Sequence, residues 1–159
     1  MKSIILIFTI FLSSCSASKQ NSNSLKYSKV YDYVSNEYKS SLDVSDTLVN
    51  IDIVNFSEEI AKEKNINMDK VLDSLTAINN KVNNYNYLLN KIIDKASSKS
   101  KYKIFFSKPK NNYLMAEVFT KEKDNSYDDL TTFSSSKVYL FEFDNNEISK
   151  TYNIILNYN

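Results

Sequence analysis

The stretch KVYLFEFDNNEISKTYNIILN, residues 137–157, decides the fold class because it predicts a β-hairpin. Apolar and polar residues alternate on both sides of the segment 144–147, as in strands that bury one face. Asn145 and Asn146 tolerate the positive φ angles that a two-residue hairpin turn requires. With that turn, Phe143 lies opposite Ile148, and the chain contains at least one antiparallel pair.

An uninterrupted register sorts the hairpin side chains into two faces. Tyr139, Phe141 and Phe143 then point into the core, together with Ile148 and Tyr152. The opposite face is expected to be exposed to solvent, and Leu140 and Ile155 are apolar residues on it. We interpret these two residues as candidate binding residues. The whole outer face is Val138, Leu140, Glu142, Thr151 and Ile155.

Two further strands precede the hairpin, so that residues 101–158 are expected to form a four-stranded antiparallel meander. The first runs from Tyr102 to Ser107 and the second from Tyr113 to Lys121. A two- or four-residue loop around Asn111–Asn112 would place Glu117 on the same face as Ile104. A three-residue loop would reverse that assignment, because side chains alternate with a period of two.

A long helix is predicted over about residues 68–96, after shorter helices near the N-terminus. Its apolar positions recur in steps of four and three, which is typical of one buried helix face. We expect it to pack on the sheet in a monomeric α+β domain; the regular repeat also allows a homodimeric coiled coil. The apolar positions are Val71, Leu75, Ile78, Val82, Tyr85, Leu89, Ile92 and Ala96.

The N-terminus carries a short apolar run behind a positive charge. Lys2 precedes the run 4–12, which as a helix would rise about 13 Å, well short of the ~30 Å hydrocarbon core of a bilayer. That length indicates a secretory signal segment and not a permanent span. The run ends in Leu12-Ser13-Ser14-Cys15, which resembles the lipobox of bacterial lipoprotein precursors.

The resemblance implies cleavage before Cys15, the only cysteine of the chain, and lipidation of that residue. Residues 1–14 would then be a signal peptide, 15–24 the lipidated cysteine and a polar tether, and 25–159 a single domain. In the lipoprotein family, a residue other than Asp after the cysteine favours the outer membrane in some bacteria, and Ser16 stands there. The tether has no acidic cluster for surface export, so we expect the domain to face the periplasm.

The composition excludes several classes of chemistry. The 159 residues include no Gly, no His and no Trp, and all 20 basic residues are Lys. Glycine-rich phosphate loops, His-based triads, His-containing zinc sites and bidentate Arg clamps are therefore impossible. A net charge of +1 does not favour nucleic acid as a partner. We expect no cofactor and no metal.

Few side chains are candidates for catalysis. Glu117 is a candidate catalytic residue if it faces the interior, since burial among apolar residues would raise its pKa and make it a general acid or base. Glu142 is expected to face solvent. Asp124, Asp128 and Asp129 share one loop with Asn125, but their spacing is not that of an EF-hand calcium loop.

The element order resembles that of cystatin-like and NTF2-like α+β folds, a likeness at the level of the fold only. We expect a non-catalytic binding module of the bacterial envelope that is anchored to the membrane through Cys15. Its ligand would be an envelope protein, a peptide or an apolar ligand. The alternative is a small cone-shaped hydrolase or isomerase that uses Glu117.

Overall fold

The computed structural model describes residues 22–78, 85–86, 89, 92–121 and 125–159. Cys15 and the lipobox lie outside these residues. Within the described part of the chain, no helix has the length and apolarity needed to cross a membrane. The elements are α1 (22–38), β1 (Asp43–Val44), β2 (Thr47–Leu48), a 3-10 helix (Ile53–Phe56), α2 (Ser57–Lys64), α3 (Met68–Ile78), β3 (Tyr85–Asn86), β4 (Tyr102–Phe106), β5 (Tyr113–Thr120), α4 (Tyr127–Leu130), β6 (Ser135–Asp144) and β7 (Glu147–Asn157).

The predicted α+β class is confirmed, and the sheet is a mixed sheet of five strands in the order β1-β4-β5-β6-β7. β1 is parallel to β4, whereas the pairs β4–β5, β5–β6 and β6–β7 are antiparallel. The strand that was not expected is β1, whose two residues pair with Lys103 and Ile104. A second, two-stranded sheet joins β2 and β3.

The prediction of one helix over residues 68–96 is wrong. Within the described residues α3 spans Met68–Ile78, and Tyr85–Asn86 is a strand that pairs with Thr47–Leu48. The periodic apolar positions also serve two different cores, since Leu75 and Leu89 pack in separate clusters.

Both faces of the sheet are covered. The α1 core lies between α1 and one face, and the α2–α3 core lies between the other face and the remaining helices. The expectation of one wet face is therefore wrong. The α1 core includes Tyr27, Val30, Tyr31, Val34, Ile104, Phe106, Ala116, Tyr139, Phe141 and Phe143, and the α2–α3 core includes Phe56, Ile60, Val71, Leu75, Phe105, Phe119, Leu130, Val138, Leu140 and Tyr152.

A β-bulge in β7 explains the error. Phe143 lies opposite Ile148 as predicted, but Glu142 lies opposite Lys150, so Ser149 is an extra residue on β7. Its hydroxyl donates to the carbonyl oxygen of Glu142 at 2.9 Å. A bulge moves every later pair by one residue.

Leu140 and Ile155 consequently lie on opposite faces. Leu140 is opposite Tyr152 and is 0% exposed in the α2–α3 core. Ile155 is opposite Lys137 and is 69% exposed. The predicted docking face that combines the two residues does not exist, and only Ile155 is accessible.

The β4–β5 hairpin contains a similar irregularity. Lys110 pairs with Tyr113 across a two-residue turn, whereas Phe106 pairs with Ala116. The first strand therefore has one extra residue, because residues 108–109 lie opposite the single residue Leu114. Pro109 has no N–H with which to continue the ladder. Residues beyond the turn therefore exchange faces relative to the expectation. Glu117 lies opposite Phe105, in the layer of the α2–α3 core and not with Ile104.

Candidate functional site

α1 runs along the sheet from one end of it to the other. Ser22 donates a hydrogen bond to Asn146 Oδ1 at 2.6 Å, beside the β6–β7 turn. At the other end of the helix, Glu37 accepts from Lys137 Nζ at 2.6 Å. The 17 residues 22–38 span about 24 Å. We call the end of the sheet with the β6–β7 turn the proximal end, and the end with Thr120 and Ser135 the distal end.

Glu117 forms a buried hydrogen-bond network near the distal end. Its side chain is 0% exposed. Oε2 accepts from the Tyr127 hydroxyl at 2.6 Å, and Oε1 accepts from Ser136 Oγ at 2.5 Å and from the Tyr158 hydroxyl at 2.6 Å. A buried carboxylate is tolerated when such donors replace its water shell.

Aromatic rings enclose this network and determine the protonation of its donors. Phe105 and Phe119 pack edge to face with centroids 5.9 Å apart, and the Tyr127 ring lies 5.1 Å from Phe105. Burial, and then the Glu117 carboxylate, raise the pKa of Tyr127 well above its ordinary value of 10.0. The pKa of Tyr158 is raised by the same two causes. Both hydroxyls therefore remain donors at neutral pH.

The network holds the connection between β5 and β6 in place. Tyr127 is the first residue of α4, whose start is closed by a capping box between Ser126 and Asp129. The Tyr158 amide donates to the Ser134 carbonyl at 2.8 Å, so the C-terminal segment is tied to the same connection. Glu117 is thus a positioning residue for this connection, which carries an exposed Phe133.

Phe133 borders a groove at the distal end. Its side chain is 84% exposed, which is unusual for a ring of this size. The groove has a volume of about 430 Å³, within the range of about 300–1,000 Å³ that is typical of ligand sites. We call it the Phe133 groove. It is lined by Thr120, Asn125, Asp129, Leu130, Phe133, Ser134 and Ser135.

A second groove meets the first at Thr120 and Ser135. It has a volume of about 190 Å³ and lies on the α1 side of the sheet. We call it the Tyr38 groove. Two aromatic rings form part of its wall, since Tyr38 and Tyr102 pack edge to face at 4.6 Å. The lining residues are Tyr38, Tyr102, Val118, Phe119, Thr120, Ser135, Ser136, Lys137 and Ile155.

A charged cluster borders the Tyr38 groove. Glu37 accepts from Lys137 and, at 3.0 Å, from the hydroxyl of the buried Tyr139. Burial, followed by the neighbouring Tyr38, raises the pKa of Tyr139, so its phenol stays protonated. Aromatic rings beside fixed donors and acceptors suit a partner that is part apolar and part polar.

The remaining predicted candidates do not converge on a site. Asp129 belongs to the capping box, and its hydrogen bonds to Ser126 lower its pKa. Asp124 lies outside the described residues. Within those residues, no group of three or more Asp, Glu or Cys side chains could hold a metal ion. Glu142 contacts Lys64 at 3.8 Å beneath α2 and does not face open solvent as expected.

Sequence reasoning found Glu117 but not its partners. The donors Ser136 and Tyr158 lie 19 and 41 residues away. No spacing rule connects positions so distant along the chain, and the predicted register had placed Glu117 on the other face.

No protein-family model, curated protein or solved structure matches this chain significantly. The function is therefore inferred from the geometry of these residues and from the resemblance of Leu12-Ser13-Ser14-Cys15 to a lipobox.

Proposed function

We propose that this protein is a bacterial envelope lipoprotein, anchored through Cys15 in the outer membrane and facing the periplasm. It acts as a non-catalytic binding module whose ligand is an envelope protein, a peptide or an apolar ligand. The observation that carries the binding role is the exposure of Phe133 on the larger of two grooves that meet at the distal end.

The position of α1 supports the orientation of this module. Six residues, 16–21, separate Cys15 from Ser22, and this length of chain reaches at most about 25 Å. Ser22 lies at the proximal end of the sheet. A lipid on Cys15 therefore holds the proximal end within about 25 Å of the bilayer.

The environment of Glu117 supports a role without catalysis. A general acid or base must reach a substrate within hydrogen-bond distance, whereas Glu117 is fully buried and is occupied by three hydroxyls. The alternative of a hydrolase or isomerase that uses Glu117 would require Tyr127 or Tyr158 to leave the carboxylate.

Two substitutions test the proposal: one at Cys15 tests the lipid anchor, and one at Phe133 tests the distal binding site. Cys15→Ser is expected to abolish acyl labelling and to release the chain from the membrane fraction. Phe133→Ser is expected to leave anchoring intact and to abolish cross-linking to the partner in the native envelope.

Ile66→Ser is the matched control for Phe133, because Ile66 is also exposed but lies between α2 and α3. Acylation that persists in Cys15→Ser would contradict the anchor. Equal partner recovery with Phe133→Ser and Ile66→Ser would contradict the distal binding site.

A further inference from the structure

β7 is an edge strand of eleven residues. Within the described residues, no strand pairs with its outer side. The Tyr158 amide donates inward to Ser134, and hydrogen-bonding directions alternate along a strand. The backbone groups of odd-numbered residues therefore point outward over 151–157. The outer edge presents Thr151, Asn153, Ile155 and Asn157.

Within the described part of the chain, segment 151–157 of this edge lacks the features with which proteins usually prevent strand pairing. Natural edge strands are short, or carry charges, Pro or a covering element. Segment 151–157 contains no charged residue and no Pro. Lys150 and Glu147 lie nearer the β6–β7 turn, as does the bulge at Ser149. The opposite edge of the sheet, β1, has only two residues.

We propose that the outer edge of β7 pairs antiparallel with β7 of a second copy of this chain. Seven uncharged residues can face their own copy without placing like charges opposite each other, an arrangement that would be destabilising. The exposed Ile155 side chain lies on the α1 side of the sheet, opposite Lys137. Pairing would cover it with the neighbouring strand and would join two five-stranded sheets.

The symmetry of this pairing suits two anchored chains, and here the inference rests on the proposed lipid anchor. A two-fold axis perpendicular to the sheet generates an antiparallel pair and leaves both α1 helices on the same side of the joined sheet. Both Ser22 residues then lie on that side of the joined sheet, at its two opposite ends, because the two-fold axis reverses the strand direction. With about 25 Å of tether each, both Cys15 lipids can enter one membrane that lies along the α1 side.

Membrane attachment also raises the local concentration of the chain, which favours dimerisation through such a short interface. A pair of strands without further packing is marginally stable in water. Confinement of two chains to one surface raises their effective concentration and increases pairing without any new contact. The pairing therefore belongs to the lipidated protein in the membrane.

Single cysteines on the outer edge test the proposal in the full-length chain, expressed in a bacterial host that lipidates Cys15. The variants are Thr151→Cys, Asn153→Cys, Ile155→Cys and Asn157→Cys. Oxidation of isolated membranes is expected to produce disulfide-linked dimers, with the highest yield at the residue nearest the two-fold axis. Asn36→Cys, on the exposed side of α1, is the matched control and should yield none.

A second pair of variants shows whether strand pairing produces the cross-link. Asn153→Lys, added to the best cysteine variant at position 151, 155 or 157, is expected to lower the disulfide yield roughly tenfold because it places like charges near each other. Asn36→Lys should leave the yield unchanged. An unaffected yield in Asn153→Lys would overturn the proposal.

Two other results would also overturn it: no dimer at any edge position in membrane-bound protein, or disulfides only to a different envelope protein. Acyl labelling and flotation of the same samples report on the anchor separately. If the chain is not acylated, the proposed function fails. Disulfide formation by the concentrated full-length edge-cysteine variants that also carry Cys15→Ser then decides the pairing independently.

Discussion

At the residue scale, Leu140 and Ile155 occur in the same sequence pattern but differ in their exposure to solvent. Both are apolar residues in a strand of alternating pattern, yet one is fully buried and the other is mostly exposed. Leu140→Asp is expected to destabilise the fold by about 4 kcal/mol or more, since it buries an unpaired charge. Ile155→Asp is expected to change the free energy of unfolding by about 0.5 kcal/mol or less. Urea titration of both variants measures the difference.

The same pair distinguishes the observed register from an uninterrupted one. Without the bulge, both side chains would share a face and both variants would behave alike. Equal stabilities for Leu140→Asp and Ile155→Asp would therefore contradict the observed register.

At the element scale, the bulge at Ser149 is the feature that sets the faces of β7. Deletion of Ser149 leaves Glu142 opposite Lys150 and every later pair unchanged, so it should cost about 1 kcal/mol or less, as a surface change does. Deletion of Asn153 forces part of the strand to turn over, which exposes either Tyr152 or the pair Ile154 and Leu156. Tyr152 is buried and Ile154 and Leu156 are half-buried; since full burial of such a side chain is worth about 1.5–3 kcal/mol, the Asn153 deletion should cost more than the Ser149 deletion.

Denaturant midpoints of the two deletion variants test this difference. The deletion of Asn153 is the matched control, because it also removes one residue from β7. If the Ser149 deletion is the more damaging of the two, the bulge is not the element that sets the faces.

At the scale of the whole molecule, buried phenols make the stability depend on alkaline pH. The pKa values of Tyr127, Tyr139 and Tyr158 are raised above 10.0 in the folded state. Above about pH 10 the unfolded chain loses these protons while the folded chain keeps them. The free energy of unfolding should therefore fall as pH rises beyond 10, by up to about 1.4 kcal/mol per pH unit for each such tyrosine, and should be unaffected by them below pH 9.

Tyr127→Phe isolates one contribution to this dependence. The variant should be less stable at pH 7, because Glu117 loses a donor, and its stability should decline less steeply above pH 10. Denaturant titrations at a series of pH values measure both effects. An unchanged slope would show that Tyr127 does not keep its proton in the folded chain.

The sequence by itself determined the local elements of this protein. The alternation on either side of Asn145–Asn146 predicted the β6–β7 hairpin, and both Asn have the positive φ that the turn requires. The apolar spacing from Leu25 to Leu42 predicted a helix, and α1 spans residues 22–38. These features depend on the backbone preferences of residues that are neighbours in the chain, so they can be recognised from a short window.

Only the tertiary structure decided the faces, the division of the predicted helix 68–96 and the partners of Glu117. A single extra residue at Ser149 or near Pro109 exchanges buried and exposed positions. Its placement depends on which side chains the layers on both sides of the sheet can bury. Likewise, the apolar repeat from Val71 to Leu89 is consistent with one long helix, but in the structure Val71 packs in the α2–α3 core and Leu89 in the α1 core. The hydroxyl of Tyr158 reaches Glu117 across 41 residues. Such contacts follow from the packing of distant segments, which no local preference encodes.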